Sequence, residues 1–442
     1  MLNLRILFYL IGFWRNRAVR RSETGLRRLQ ARRWRRLLRV LRRSPHYRDL
    51  AQPGARPTDF PVIDKAGFMA AFDEINTAGI TRAAALEVAL AAEESRDFSP
   101  QIDGITIGLS SGTTGNKGIF LASTDERARW VAAVLDRVIG FSLRRRRVAF
   151  FLRANSNLYE SARSRLLVFR FFDLFRPMPD LLGELGAFQP HILVAQPAVL
   201  REITRAIEAG TLRITPQRVI SVAEVLEPQD REAFGQVFGQ PIHEVYQCTE
   251  GFLAATCPAG RLHFNEDFLL IEPHYLDAEQ TRYHPVITDL MRHTQPVVRY
   301  RLDDVILAAS EPCPCGNPAR SIGRIEGRAD DVLRLRGKTG DEIVIYPDFI
   351  RRAMITASDD IVFYAVTQTG AATLAGYIEV RPGADAAEAK ARAEQQVRHV
   401  LDRLGAAPCT WVWETTFEHH PTFKLRRIRN AYHSSHQAAG HG

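Results

Sequence analysis

Short apolar runs alternate along this chain with stretches whose apolar residues recur every three or four positions. Ile105–Leu109, Ile119–Ala122, Val148–Leu152, His191–Ala195, Val219–Val222 and Ile242–Tyr246 are brief and rich in branched or aromatic residues, which predicts buried strands. Between and around them, Ala83–Glu94, Asp125–Ile139 and Val199–Ala209 read as helices. Strands and helices taking turns is the α/β pattern. Pro53, Pro57 and Pro61 mark an irregular crossing ahead of it. Beyond Ile322–Glu326 the pattern changes. Strands are predicted at Val362–Thr367, Thr373–Val380 and Thr410–Glu414, with one helix over Ala386–Leu404, which describes a small α+β domain. No run of eighteen apolar residues occurs, so no helix is expected to span a membrane.

At the other end, Ser22–Leu41 places Leu26, Leu29, Trp34, Leu37, Leu38 and Leu41 at helical spacing and fills the opposite face with arginine. Residues 1–50 hold fifteen arginines, no lysine and two acids, a local charge of +13. The whole chain carries +9, which leaves −4 for the remainder (9 − 13). The basic character therefore belongs to one arm. An amphipathic helix packed on the domain with a solvated face is its plainest reading. Peripheral contact with an anionic membrane is the alternative. No interleaved aromatic platform accompanies the charges, so no specific nucleic-acid partner is expected. The apolar stretch Met1–Trp14 precedes most of the charges and lacks a small-residue cleavage site, unlike a signal peptide. Five cysteines in 442 residues are too few for a disulfide scaffold, and a cytoplasmic location, with membrane-peripheral contact as the variant, is expected. Lysine is scarce, with 5 against 54 arginines, so each lysine invites a question.

Between two of the predicted strands lies Ser110-Ser111-Gly112-Thr113-Thr114-Gly115-Asn116-Lys117-Gly118. Glycines let backbone N–H groups turn inward and hydroxyls add donors, so such a loop can wrap a phosphate. Its spacing is not that of a Walker A loop. Further on, a strand runs into Tyr246-Gln247-Cys248-Thr249-Glu250-Gly251, where Glu250 offers a hard oxygen suited to Mg²⁺. Val298–Val305 contains the acid pair Asp303-Asp304, Gly327-Arg328-Ala329-Asp330-Asp331 follows, and Pro421–Arg427 contains Lys424.

These strings occur in the order found in the adenylate-forming superfamily, and the chain resembles its phenylacetate–CoA ligase-like branch, including deazaflavin-adenylylating synthetase-like relatives. The entry Leu41–Tyr47, reading Leu-x-x-Ser-Pro-x-Tyr, supports that branch. The resemblance covers roughly Ser44 to Arg427. It implies an α/β fold: a large N-terminal domain of mixed sheets and helices and a small mobile α+β C-terminal domain. The expected divisions are an arm at 1–50, the adenylation domain at 51–326, a hinge at 327–331 and a lid at 332–442. By resemblance, Ser110, Ser111, Gly112, Thr113, Thr114, Gly115 and Lys117 grip ATP phosphates. Thr249 bonds the α-phosphate, and Glu250 holds Mg²⁺. Tyr246, Ala223 and Glu224 border the nucleotide, Asp304 takes the ribose hydroxyls and Arg328 faces the nucleotide. Asp330 is the hinge, and Lys424 enters the site for adenylation. Two departures stand out: Asn116-Lys117 replaces Lys-Pro, and Leu302-Asp303 replaces Thr-Gly before the ribose aspartate.

Cys257, His263, Cys313 and Cys315 compose a Cys₃His set of the kind that closed structural zinc sites use, and similar clusters occur in the resembled branch. Unliganded buried thiols are the alternative. Cys248 and Cys409 read as core residues. The aromatic-rich segment Arg165–Phe175 reads as core or as the wall of an acyl pocket.

The function implied is an AMP-forming acid–thiol ligase. It would use MgATP and a carboxylic acid, of the aromatic class that the resemblance favours, and then coenzyme A or a carrier-protein phosphopantetheine. A homodimer is compatible with this reading. The alternatives are AMP transfer to a small-molecule hydroxyl and a non-enzymatic basic adaptor for membrane or nucleic acid.

Overall fold

The computed structural model describes every residue except 1, 96, 98–99, 110–117, 141–143, 153–166, 175, 329–331, 418–425 and 433–442. The chain divides into two compact units: Met1–Leu302 with Ile306–Arg324, and Asp303–Val305 with Ile325–Gly442.

The first unit is built on a large mixed sheet. Its parallel half runs in the order Leu167–Asp173, Arg146–Leu152, Ile192–Ala195, Arg218–Val222 and Ile242–Cys248. Ile192–Ala195 is buried at every position, as expected for a parallel strand covered on both faces. Helices Met178–Phe188, Pro197–Glu208 and Pro228–Phe238 make the crossovers. Pro197 and Pro228 each stand in the first turn, where a missing N–H costs nothing. Val199, Leu200 and Ile203 then turn one face of their helix onto Ala149, Phe151, Leu193 and Val219 of the sheet. Past Ile242–Cys248 the sheet becomes antiparallel, through Gly251–Thr256 and Leu262–Phe264.

A separate three-stranded sheet holds Gln101–Ile102, Ile105–Leu109 and Ile119–Ala122. Leu109 pairs with Ile119, so the two stems of the predicted phosphate loop are joined at its base. Ser110 to Lys117 themselves lie outside the described residues.

The basic arm forms two helices, α1 (Leu2–Arg15) and α2 (Glu23–Leu41). All six apolar residues predicted for one face of α2 are buried. Ser22 caps α2 by accepting from the Gly25 amide. The four consecutive arginines Arg144–Arg147 read in the sequence as a solvated turn, and the structure corrects this in part. Arg146 and Arg147 open a strand, and their guanidiniums donate to the carbonyls of Ile139 and Gln189. The helix predicted to run to Ile139 is regular over Thr124–Val134 and widens into a π-turn over Leu135–Ile139.

The second unit has a hairpin, Leu333–Arg336 with Glu342–Ile345, and a four-stranded sheet ordered Thr410–Trp413, Thr373–Val380, Ile361–Gly370, Ile428–Asn430. Helix Ala386–Arg403 buries Ala389, Ala393, Val397 and Leu401, one residue per turn, against this sheet.

Candidate active site

Thr249 and Glu250 are the two residues of a tight turn. Cys248 at the end of one strand pairs with Gly251 at the start of the next, leaving only these two between them. The turn stands at the carboxyl end of the last parallel strand, the position at which α/β sheets bind ligands. Gly251 leaves little room for a side chain. A Cβ at that position would come within 3.2 Å of the Asp289 carboxylate.

Both turn residues are braced. The Tyr300 hydroxyl donates to Oε1 of Glu250 at 2.8 Å. Tyr300 is itself buried, edge-on to Phe68 at 5.2 Å. The Arg292 guanidinium donates to the Thr249 carbonyl at 2.8 Å and, through its other amino group, to the Leu121 carbonyl and Oε1 of Gln295. Gln295 completes the connection. Its Oε1 accepts from the Leu121 amide, and its Nε2 donates to the Ile119 carbonyl. Leu121 and Ile119 belong to the strand that leaves the predicted phosphate loop. Arg292 and Gln295 thus join that strand to the Thr249–Glu250 turn.

Glu126 anchors the same segment. Its buried carboxylate accepts from the amides of Ser123, His293 and Thr294 and from the hydroxyls of Ser123 and Thr294. Burial works to raise its pKa, but the charge of Arg292 and these donors prevail and hold it below the usual value. Asp289 shows the opposite balance. It is buried beside the turn, and burial outweighs the Met291 amide bond and Arg292, pushing its pKa up to about 6.

The other predicted nucleotide residues fall as follows. Tyr246 is buried in the strand Ile242–Cys248, its ring 6.4 Å from that of Phe264. Ala223 follows the strand Arg218–Val222 with φ of 69°, a left-handed conformation that a non-glycine residue adopts under constraint. Oε2 of Glu224 accepts from the Ala198 amide at the start of helix Pro197–Glu208, where a carboxylate suits the helix dipole. Asp304 opens the strand Asp304–Ala308, in the second unit. Arg328 ends the strand Ser321–Arg328. Asp330 and Lys424 lie outside the described residues, Lys424 shortly before the strand Ile428–Asn430.

Cys257, His263, Cys313 and Cys315 converge, with their ligand atoms all within 4.8 Å of one another. The Cys257 and Cys313 sulfurs are 3.6 Å apart, and Cys315 Sγ is 3.5 Å from His263 Nε2. A tetrahedron with Zn–S of ~2.3 Å and Zn–N of ~2.0 Å has edges of about 3.8 and 3.5 Å, so the set fits zinc. His263 Nδ1 donates to the Ala319 carbonyl at 2.7 Å, which fixes the tautomer that leaves Nε2 as a ligand. Two turns present the thiols. Gly260 (φ 80°) returns an amide to the Cys257 carbonyl, and Gly316 (φ 70°) does the same to Cys313. Burial opposes ionisation of Cys313, but its contacts with His263 and the neighbouring cysteines prevail and bring its pKa down to about 6.

No family model matches the chain. A phenylacetate-coenzyme A ligase of Thermus thermophilus is 28% identical over 89 residues, 20% of this chain. The match spans about a fifth of that relative, 19% of its length. A 2-hydroxyisobutyryl-CoA ligase in its postadenylation state superposes with a TM-score of 0.69 at 15% identity, covering 95% of this chain and 93% of that one. The chain has the fold of the adenylate-forming ligases. The anthranilate CoA ligase AuaEII, in complex with anthranoyl-AMP, is similar over 76% of this chain and 67% of its own (TM-score 0.50, 15% identity). The amide bond synthetase McbA of Marinactinospora thermotolerans is similar over 74% and 68% (TM-score 0.50, 15% identity).

Within this adenylate-forming fold, sequence reasoning did not find Tyr300, Arg292, Gln295, Glu126 or Asp289. Tyr300 had a local signal, since it sits inside the Arg-Tyr-Arg string before Asp304. The others are brought to the site from about forty residues or more away in sequence, and nothing local distinguishes them. The aromatic segment resolves into a strand with two faces. Phe172 stacks on Phe151 in the core at 4.5 Å, whereas Phe169 lies on the other face, 5.2 Å from Phe150.

Proposed function

We propose that this protein activates a carboxylic acid with MgATP, giving an acyl-adenylate and pyrophosphate, and passes the acyl group to a thiol of coenzyme A or of a carrier-bound phosphopantetheine. The observation that carries this reading is the Thr249–Glu250 turn, fixed at the carboxyl end of the parallel strands and tied through Arg292 and Gln295 to the strand leaving the Ser110–Lys117 loop.

In the first half-reaction, an acid oxygen attacks the α-phosphorus and the bond to the β-phosphate oxygen breaks. Backbone amides and hydroxyls of Ser110, Ser111, Gly112, Thr113, Thr114 and Gly115, with Lys117, hold the departing pyrophosphate. Thr249 bonds the α-phosphate. Glu250 holds the Mg²⁺, which supplies charge neutralisation at the phosphates. Lys424 neutralises charge shared between the attacking carboxylate and the α-phosphate. Tyr246, Ala223 and Glu224 border the nucleotide, Asp304 takes the ribose hydroxyls and Arg328 faces the nucleotide. Rotation at Asp330 then exchanges Lys424 for the thiol-binding surface. An aromatic acid is favoured by the local match to a phenylacetate-coenzyme A ligase and by the Phe150–Phe169 face.

Cys257, His263, Cys313 and Cys315 hold a structural zinc that closes the loops around residues 257–263 and 313–319.

The test is a pyrophosphate-release screen of aromatic and aliphatic acids, each with and without coenzyme A. Acid-dependent release with a thioester product is expected. A stable adenylylated small molecule without thioester would move the acceptor from a thiol to a hydroxyl.

A further inference from the structure

The catalytic reading leaves one surface unused. Helix α1, LNLRILFYLIGFWR, is apolar around most of its circumference. Ile6, Leu10 and Phe13 are buried, and α1 packs on helix Thr124–Val134. The opposite stripe is bare: Leu4 is 73% exposed and Phe8 70%, with Leu7 at 46% and Ile11 at 43%. Leu4, Phe8 and Ile11 follow helical spacing and form one continuous line. An exposed apolar stripe calls for an apolar neighbour, and none of the described residues covers this one.

The charge of the arm lies on α2. In α2, Arg28, Arg32, Arg35, Arg36 and Arg39 are all exposed, and the one acid of that helix, Glu23, pairs with Arg27. Slight burial and the nearby cations Arg32, Arg39 and Arg129 depress the Arg36 pKa, so the cationic surface is crowded. The two helices share a base. Arg33 of α2 lies over the Phe13 ring of α1 at 6.0 Å, and Arg129, a neighbour of Arg36, lies over Tyr9 of α1 at 5.1 Å. Arg17 and Arg20 tie the connection between the helices to Asp136.

We propose that α1 and α2 form a docking surface for a bilayer rich in anionic lipid. The Leu4, Leu7, Phe8 and Ile11 stripe enters the boundary between headgroups and acyl chains, and the arginines of α2 lie against lipid phosphates and carboxylates. The helix lies on the membrane and does not cross it: fourteen residues span about 21 Å, and no described helix is long and apolar enough to cross. The cations select this occupant over a second copy of the chain, because a two-fold contact on the stripe would set the same arginines against one another. They select it over nucleic acid because the exposed aliphatic stripe has no place in a phosphate groove.

The experiment is vesicle co-sedimentation of the full-length protein with phosphatidylcholine vesicles and with vesicles containing phosphatidylglycerol. Two variants are run beside the wild type, Leu4→Ser with Phe8→Ser, and Arg32→Gln with Arg36→Gln and Arg39→Gln. All substituted side chains are exposed, and melting curves confirm that both variants fold. The wild type should pellet with the anionic vesicles, at least tenfold better than with the neutral ones, and lose this as salt rises. The serine variant should bind about tenfold or more weakly, and the arginine variant about fivefold less for each charge removed. Equal binding to both vesicle types, no binding, or unimpaired binding by the serine variant overturns the proposal. So does a wild-type dimer that ignores vesicles and that the serine substitutions dissociate, which would assign the stripe to a second copy.

Discussion

A glutamate at the tip of a two-residue turn has several rotamers open to it, and a metal ligand needs one. Tyr300 selects it by donating to Oε1 of Glu250, which leaves the other oxygen for a cation. Tyr300→Phe keeps the ring against Phe68 and removes only that donor. Its expected effect is a KM for MgATP raised about ten- to a hundredfold with kcat little changed, the range expected from losing a hydrogen bond to a charged group. Initial rates over a grid of ATP and Mg²⁺ concentrations check it, and an unchanged KM would remove Tyr300 from its positioning role. Asp289 makes a separate prediction, in stability. Its folded pKa of about 6 lies above the ordinary aspartate value of 3.8, so its contribution is fully present below the unfolded pKa and is lost as pH rises through the folded one. Asp289→Asn should therefore gain on the wild type by up to about 3 kcal/mol as pH rises from about 4 to 6, read from denaturant midpoints across that window. Glu126 has the reverse sign. Its depressed pKa means stability that is present above the ordinary carboxylate range and lost on acidification. At this scale the sequence announced residues that carry a local string, such as Thr249 and Glu250. It was silent on Arg292 and Gln295, whose partners are set by the fold alone.

Among the elements, the critical one is the connection from Ile119–Ala122 to the Thr249–Glu250 turn. Gln295 is 1% exposed, and it satisfies the Leu121 amide, the Ile119 carbonyl and Arg292 together. Gln295→Ala strands these groups and should cost about 2–3 kcal/mol, with a lowered melting temperature and weakened ATP binding. A loss of stability alone, with nucleotide affinity intact, would reduce the connection to a structural one. The Cys₃His cluster predicts one zinc per chain by elemental analysis. Chelation should lower the melting temperature, and Cys313→Ser should abolish the metal. A metal-free protein with unchanged stability would leave four unliganded side chains. Elements were legible where one force dominated. The parallel strands are apolar along their length, and α2 carries its buried face in plain helical spacing. The antiparallel strands Leu269–Tyr275 and Arg282–Asp289 pair across Pro273 and Pro285 with polar residues between, so neither was found in the sequence. Helix Pro347–Ala357 was missed as well, because only its tertiary partners in the second unit's core distinguish it.

For the molecule as a whole, the fold of the adenylate-forming ligases agrees with the α/β and α+β characters read from the two parts of the chain. The proposed adenylation draws on residues of both units: Glu250 and the Ser110–Lys117 loop in the first, Asp304 and Lys424 in the second. The most direct test of that claim is acid-dependent exchange between ATP and labelled pyrophosphate, measured on the wild type, Glu250→Gln and Lys424→Ala with an acid that the release screen selects. The account predicts exchange by the wild type, a loss of about a hundredfold or more in Glu250→Gln, roughly the cost of one charge-stabilising group at a transition state, and none detectable in Lys424→Ala. Near-normal exchange in both variants would contradict it.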